Sequence, residues 1–330
     1  MESASKGMDS TLWGFRMTSF ILVDYNSALA TIECILHFIR KVHKISDEIS
    51  FVVVDNSVDE KNFSIFGGKY EINRTLMFEG SVLNEIFIKG FRCLVWKNWE
   101  NAGYARGNNA GARIAENFLN SDYLIFSNND LIVLDEYLNI ENLIEEVNRP
   151  NVGIVGPSIV GKDGKPQTPY FKKDFFCRWI LENALFPFDR FLPLKLHSDD
   201  RIEKFVCNPV FRVLGAFFLT SREKFNAVDG FDSHTFLFAE ELILSAKMRK
   251  KGLETHYLPS IHLLHNHSET INKKYDSFSR LKLRFQSESY YYRNYAGVHP
   301  LYIKCAKWLL DCFIFKKRML GKWKCLWKKG

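Results

Sequence analysis

One pattern repeats along the first two-thirds of the chain: a short, wholly apolar run, closed in several copies by Asp or Asn, then a stretch with apolar residues at helical spacing. Residues 19–24 (SFILVD) lead into residues 28–42, where Ile32, Ile35, Leu36 and Ile39 share one face. The run recurs at 51–55 (FVVVD), 92–96 (RCLVW) and 123–126 (YLIF), with helical patterns over 108–119 and 136–147. Runs that are apolar on both sides of the pleat need cover on both faces. The alternation therefore predicts an α/β chain whose central sheet is mostly parallel, Rossmann-like and flanked by helices. Further strands are expected at 152–155, 213–219 and 254–258, and a helix over 238–251 stopped by Gly252. Residues 162–165 (KDGK) carry a hairpin signal. Residues 57–91 read as an excursion of helix and loops, and 166–212 as aromatic loops over a pocket.

In open sheets of this kind ligands gather outside the carboxyl ends of the strands. Asp24 with Asn26, Asp55 with Asn56, and Asn128, Asn129 and Asp130 all fall there. Each alone is equally a turn residue; their recurrence on successive strands points to a site. Residues 101–109 (NAGYARGNN) bring two glycines to the start of a helix, where free backbone N–H groups favour phosphate; a Gly-rich connection packed tightly on the sheet is the alternative. Neither G-x-G-x-x-G nor G-K-[ST] is present, which excludes a dinucleotide fingerprint and a P-loop. Asp130 at a strand end can hold a hard divalent cation, or cap the next turn. Glu240 and Glu241 open a helix after FLFA, so an apolar wall would raise a carboxyl toward a pKa useful for a base; two solvated acids in a first turn are the alternative. His262, His265 and His267 are a ligand cluster or loop histidines.

Charge separates body from tail. Of the formal net charge of +7, residues 301–330 carry +8 (nine Lys or Arg against Asp311), which leaves −1 for residues 1–300. A neutral body argues against nucleic acid as a partner. The tail mixes its basic residues with Trp308, Phe313, Phe315, Trp323 and Trp327, a pattern suited to a membrane interface; docking on the body or a homodimer contact is its other use. Seven scattered cysteines without a C-x-x-C pair fit free thiols in a reducing compartment. No signal peptide and no run of roughly 18–20 apolar residues is expected.

Taken in order, VVVDNS (52–57), NAGYARGNNAG (101–111), YLIFSNNDLIV (123–133), VGIVGPSIVGKDGK (152–165), VLGAFFLTSREKFNAVDGFD (213–232), FLFAEELILSAKMRKKG (236–252), YLPSIHLLHNHS (257–268) and YYYRNY (290–295) resemble the family 2 glycosyltransferases of the GT-A fold, in their rhamnosyltransferase-like branch. The resemblance covers roughly residues 18–295. It implies a leader (1–17), a catalytic domain (18–270, nucleotide part 18–135 and acceptor part 136–270) and a C-terminal helical extension (271–330).

By resemblance, the donor nucleotide meets Asp24, Asn26, Asp55, Asn56, Asn101, Gly103, Tyr104, Arg106, Gly107, Asn128 and Asn129. Gly215 and Ala216 line the sugar and acceptor site. Asp130, at the end of the D-x-D position, and His265 hold Mg2+ or Mn2+. Glu241, at the second position of the Glu-Asp motif, is the base beside Glu240. Three departures stand out: Asn128 opens the D-x-D position, Glu replaces Asp at the base, and Ile243 stands where a further Asp often follows. No Q-x-x-R-W motif appears, which favours single addition over processive synthesis. The implied activity is an inverting transfer from dTDP-rhamnose or a UDP-hexose to a saccharide, lipid-linked acceptor in surface polysaccharide (O-antigen or capsule) synthesis. The implied place is the cytoplasmic face of the cell membrane, as a peripheral protein on its anionic surface. A nucleotidyltransferase is the rival enzyme, although residues 24–30 (DYNSALA) lack its Gly-rich basic loop; an inactive membrane-bound assembly partner is the non-enzymatic rival.

Overall fold

A computed structural model describes residues 16–42, 48–170, 208–266 and 276–327. Among these residues, ten strands form one sheet: β1 (Thr18–Asp24), β2 (Ile49–Asp55), β3 (Ile72–Phe78), β4 (Ser81–Ile88), β5 (Phe91–Lys97), β6 (Tyr123–Ser127), β7 (Leu131–Val133), β8 (Val152–Gly161), β9 (Phe217–Ser221) and β10 (Glu254–His265). Eight helices accompany them: α1 (Ala28–Lys41), α2 (Lys61–Lys69), α3 (Gly103–Leu119), α4 (Ile140–Val147), α5 (Arg222–Asn226), α6 (Glu240–Lys250), α7 (Ser277–Asn294) and α8 (Pro300–Trp327).

The strand order is β3-β4-β5-β2-β1-β6-β9-β8-β10-β7. Its centre, β5-β2-β1-β6, is parallel; β9 runs antiparallel between β6 and β8, and β7 antiparallel to β10. This is the predicted α/β sheet with helices on both faces, mixed rather than uniformly parallel at its flanks. The apolar runs occupy the centre: Phe20, Val53 and Ile125 pack on one face with α1, Ile21, Val52 and Phe126 on the other with α3 and α6. Each such side chain removed from water contributes about 1.5–3 kcal/mol.

The excursion expected at 57–91 is instead α2 followed by two hairpins, β3-β4 and β4-β5. Their loops are Glu79-Gly80 and Lys89-Gly90, all four residues at positive φ, the turn geometry that suits strand twist. The strand expected over 213–219 begins only at Phe217, because residues 215–216 form a turn. The hairpin signal at KDGK corresponds to a turn with Gly164 at φ +72°, after which Pro166 bridges back to Val160. Residues 1–15 of the expected leader, and most of the loops expected at 166–212, lie outside the described residues.

Topology sets the site. The parallel strands β1, β2, β5 and β6 end together. Antiparallel pairing of β9 with β6 (Phe217 opposite Ser127) brings residues 215–216 to that edge. His265, at the end of β10, pairs with Leu131 and so lies beside Asp130. In the extension, α8 buries Ala306, Leu310 and Ile314 and exposes Leu301, Trp308 and Phe315. No helix among the described residues is long and apolar enough to cross a membrane.

Candidate functional site

The acids that end β1 and β2 are turned inward. Asp55 is fully buried and pairs with the buried Lys97 ammonium at 3.1 Å. That ammonium also donates to the carbonyls of Ser57 and Asp59 (2.5 and 2.7 Å), so its three protons are all used. Asp24 accepts from Ser27 and Thr31 side chains, and the Asn62 amide donates to both Asp24 (2.6 Å) and Asp55 (2.8 Å). Burial pushes the Asp24 carboxyl up. Both carboxylates are fully buried. What they position is the backbone around them: Asn26, left-handed at φ 54°, donates its amide to Ser57 Oγ (2.9 Å), and Ser57 donates its own to Asp55 (3.0 Å).

The first two amides of the Gly-rich segment are engaged within the fold, in keeping with the tight-packing alternative. The Gly103 amide donates to Asn101 Oδ1 (3.3 Å) and the Tyr104 amide to the Phe236 carbonyl (3.1 Å), so neither is free for an anion. A Cβ on Gly103, at φ +79°, would lie 2.3 Å from the Phe236 oxygen. Gly107 sits against Val23 and Asn56, and Asn56 donates to the Gly103 carbonyl (3.1 Å). Arg106 points outward, paired with exposed Glu100 at 3.4 Å. The Tyr104 hydroxyl donates to the Gly215 carbonyl (2.5 Å). Burial, then the nearby Glu240 and Glu241, push that phenol well up, so it stays a donor.

Beyond β6 the three residues 128–130 divide their work. Asn129 donates to Ser27 Oγ and Thr31 Oγ1 (2.9 and 2.7 Å), tying this turn to the Asp24 network. The Asn128 amide N–H donates to the Ala216 carbonyl (2.8 Å), and its side chain lies 3.5 Å from His265 Nε2. Asp130 buries both carboxylate oxygens without a hydrogen bond, with His265 Nε2 3.4 Å from one of them. His265 Nδ1 meets Gln167 Oε1 at 2.8 Å; a carbonyl oxygen accepts only, so Nδ1 donates there and the ring is held with Nε2 toward Asp130. Carboxylate oxygens without a hydrogen bond, beside an imidazole nitrogen, fit a hard divalent cation. Among the described residues no group of three or more His, Cys, Asp or Glu that could hold a metal ion forms on its own. Of the other two histidines, His262 clasps Asp135 through its amide and ring (2.7 and 2.9 Å), and His267 lies outside the described residues.

The adjacent acids of α6 have opposite environments. Helix α6 is entered through Phe238 and Ala239, both left-handed (φ 74° and 67°), a strained approach for residues with side chains. It buries Glu240, whose Oε1 has no hydrogen bond. Burial, reinforced by the charge of Glu241, pushes the Glu240 carboxyl up to about 8. Glu241 instead accepts from the Arg212 guanidinium at 2.7 Å and stays partly accessible. Its Oε2 faces Gly215, where a Cβ would sit 3.3 Å away. Glu240 is thus a buried acid pushed above its ordinary range, and Glu241 an ion-paired one at the surface of the site. Ile243 is fully buried against Tyr291 and Tyr292 of α7, so the position where an acid often follows serves packing here. Arg212, Tyr170, Gln167 and Asn62 carry no motif; only the fold brings them to the site.

The contacts run without a break from Asp130 and His265 through Asn128, Ala216 and Gly215 to Glu241. No protein-family model matches the chain. By sequence it is 27% identical over 137 residues to the N-acetylglucosaminyl-diphospho-decaprenol L-rhamnosyltransferase of two Mycobacterium tuberculosis strains, 41% of this chain and 44% of theirs. The chain thus matches less than half the length of these curated relatives. By structure it is similar to the mannosyltransferase PcManGT from Pyrobaculum calidifontis in complex with GDP-Man and Mn2+ (TM-score 0.54, 14% identity, 91% of this chain and 74% of that one). It is also similar to S. aureus TarS 1-349 in complex with UDP-GlcNAc (TM-score 0.51, 12% identity, 90% and 71%). At these identities the structures speak for the fold. By fold, then, the chain is a GT-A protein, and by sequence it is similar to the rhamnosyltransferase-like branch of the family 2 glycosyltransferases.

Proposed function

We propose that the protein is a glycosyltransferase that moves a sugar, with inversion, from a nucleotide-diphosphate donor to a hydroxyl of a saccharide acceptor. The observation that carries this is the unbroken strip from Asp130 and His265 to Glu241. It offers a cation-competent pair at one end and a charged, accessible carboxylate at the other. The donor is dTDP-rhamnose or a UDP-hexose; Asp24, Asn26, Asp55, Asn56, Asn101, Gly103, Tyr104, Arg106, Gly107, Asn128 and Asn129 form the nucleotide side within residues 18–135, and Gly215 and Ala216 line the sugar and acceptor side within residues 136–270. Asp130 and His265 would hold Mg2+ or Mn2+, which supplies charge to stabilise the leaving diphosphate. The Mn2+ in the mannosyltransferase complex is in keeping with this. Glu241 Oε2 accepts the proton of the acceptor hydroxyl as that oxygen attacks the anomeric carbon, and the diphosphate leaves from the opposite face.

The acceptor is lipid-linked in this reading, as the relative's name states for that protein. Its use is in surface polysaccharide synthesis, with α8 on the anionic cytoplasmic face of the membrane. The test is release of nucleoside diphosphate from dTDP-rhamnose and from UDP-hexoses, with Mn2+ and an N-acetylglucosaminyl-diphospho-lipid. A general base is worth ~10²–10⁴-fold, so Glu241→Gln loses turnover by that order while still binding donor. Near-normal turnover in this variant removes Glu241 from the chemistry.

A further inference from the structure

Arg212 belongs to no motif, yet it is held more firmly than a tether would require. It lies in the extended segment before β9, where the Tyr170 amide donates to its carbonyl (3.0 Å) and the Phe211 amide donates to the Tyr170 carbonyl (2.8 Å). Its guanidinium carbon stacks 3.6 Å from the centroid of the Tyr170 ring. The side chain is 8% exposed and that of Glu241 18%. An exposed ion pair contributes little, but a nearly dry, charge-assisted one both fixes geometry and favours the charged form. The guanidinium engages Oε1 of Glu241, while Oε2 looks toward Gly215, which has no side chain to cover it.

Resting on the reading of Glu241 as the base, we propose that Arg212 is its positioning residue: it holds Oε1 so that Oε2 alone is presented to the acceptor hydroxyl. The chemistry explains why a clamp is needed. The neighbouring Glu240 and the Tyr104 phenol both adjoin Glu241 in a partly dry setting, and burial there favours protonated acids, as Glu240 shows. Among the described residues, the charged and titratable groups facing Glu241 are Arg212, Glu240 and Tyr104; behind Arg212 stand Tyr170 and Arg284 of α7. A freely rotating Glu would divide its time between two oxygens and several rotamers, and the clamp removes that loss of orientation.

The experiment compares Arg212→Met and Arg212→Lys with the wild type and Glu241→Gln, in the donor–acceptor pair that supports turnover above, over pH 5–9. For Arg212→Met the expected result is kcat lower by ~10–100-fold, donor KM within about threefold, and an acid limb of the kcat profile moved up by about one pH unit. Arg212→Lys keeps the charge but not the fork, so its acid limb stays in place while kcat falls by about tenfold. A purely structural tie between the 208–216 segment and α6 would change stability without moving the limb. Loss of turnover in Glu241→Gln, with an unmoved limb and near-wild-type kcat in Arg212→Met, overturns the role of Arg212 and leaves the base in place. Retained turnover in Glu241→Gln removes the base reading itself. Where Arg212→Met does not fold, Arg212→Lys decides: reduced kcat at an unchanged melting temperature supports the positioning role, and wild-type kcat, or a loss that follows lowered stability, ends it.

Discussion

Glu240 and Glu241 are chemically identical neighbours in opposite environments: one side chain is buried without a cation and the other meets Arg212 at 2.7 Å. The consequence for Glu240 is measurable. Its folded-state value, about 8 against an ordinary 4.5, means the native state binds a proton that the unfolded chain has already released. Stability from this group is therefore greatest below about pH 4.5 and is lost as pH rises toward 8. Glu240→Gln keeps the shape and removes the titration, so melting temperatures of variant and wild type should diverge in the variant's favour between pH 5 and pH 8.5; parallel curves would show that Glu240 is charged in the native state. The sequence marked both acids but not the difference between them, since Arg212 lies 29 residues upstream. Likewise Asp55 stood out in FVVVD, whereas its partner Lys97, 42 residues on, did not, and with Lys97 the carboxylate turns inward. Removing one partner of a buried pair like this costs about 3–5 kcal/mol.

At the scale of elements, the loop between α5 and α6 is pinned from outside by α7. Ser287 donates to the Leu237 carbonyl (2.7 Å), and Tyr290 and Tyr295 donate to Asp232 (2.9 and 2.5 Å). Burial would raise the Asp232 carboxyl, but the hydrogen bonds from Tyr295, His234 and Tyr290 prevail and hold it at about 2. A depressed acid contributes stability above its unfolded value of 3.8 and loses it as pH falls toward 2. Asp232→Asn should thus cost about 1–3 kcal/mol at pH 7, a deficit that narrows on acidification, as chemical denaturation at pH 7 and pH 3 would show; a pH-independent deficit would contradict this. The YYYRNY stretch was legible as a motif, and its tyrosines prove to be the brace. The β3-β4-β5 hairpins were not legible: β3 is an exposed edge strand with no continuous apolar run. The X-Gly pairs at 79–80 and 89–90, ten residues apart, were the available signal.

At the scale of the molecule, the parallel centre and its helices were written in the apolar runs, while the antiparallel insertion of β9 was not, because a run of β-formers carries no direction. That insertion is what brings Gly215 and Ala216 to the ends of β1 and β6. The extension adds a second face. Helix α8 docks through Ala306, Leu310 and Ile314 and leaves Trp308 (66% exposed) and Phe315 (68%) outward among basic residues. Each such basic residue near an anionic surface contributes about 1 kcal/mol. The double substitution Trp308→Ser with Phe315→Ser spares the docked stripe and should reduce flotation with anionic vesicles severalfold; undiminished flotation would remove α8 from the membrane reading. The proposed chemistry requires that Asp130, His265 and Glu241 surround one nucleotide diphosphate. Crystals grown with Mn2+ and a nucleoside diphosphate test this through the anomalous signal of the metal. The expected result is a single strong peak between Asp130 and His265, with the diphosphate on it and Glu241 facing the same cleft. A peak elsewhere, or a diphosphate bound out of reach of Glu241, would contradict it.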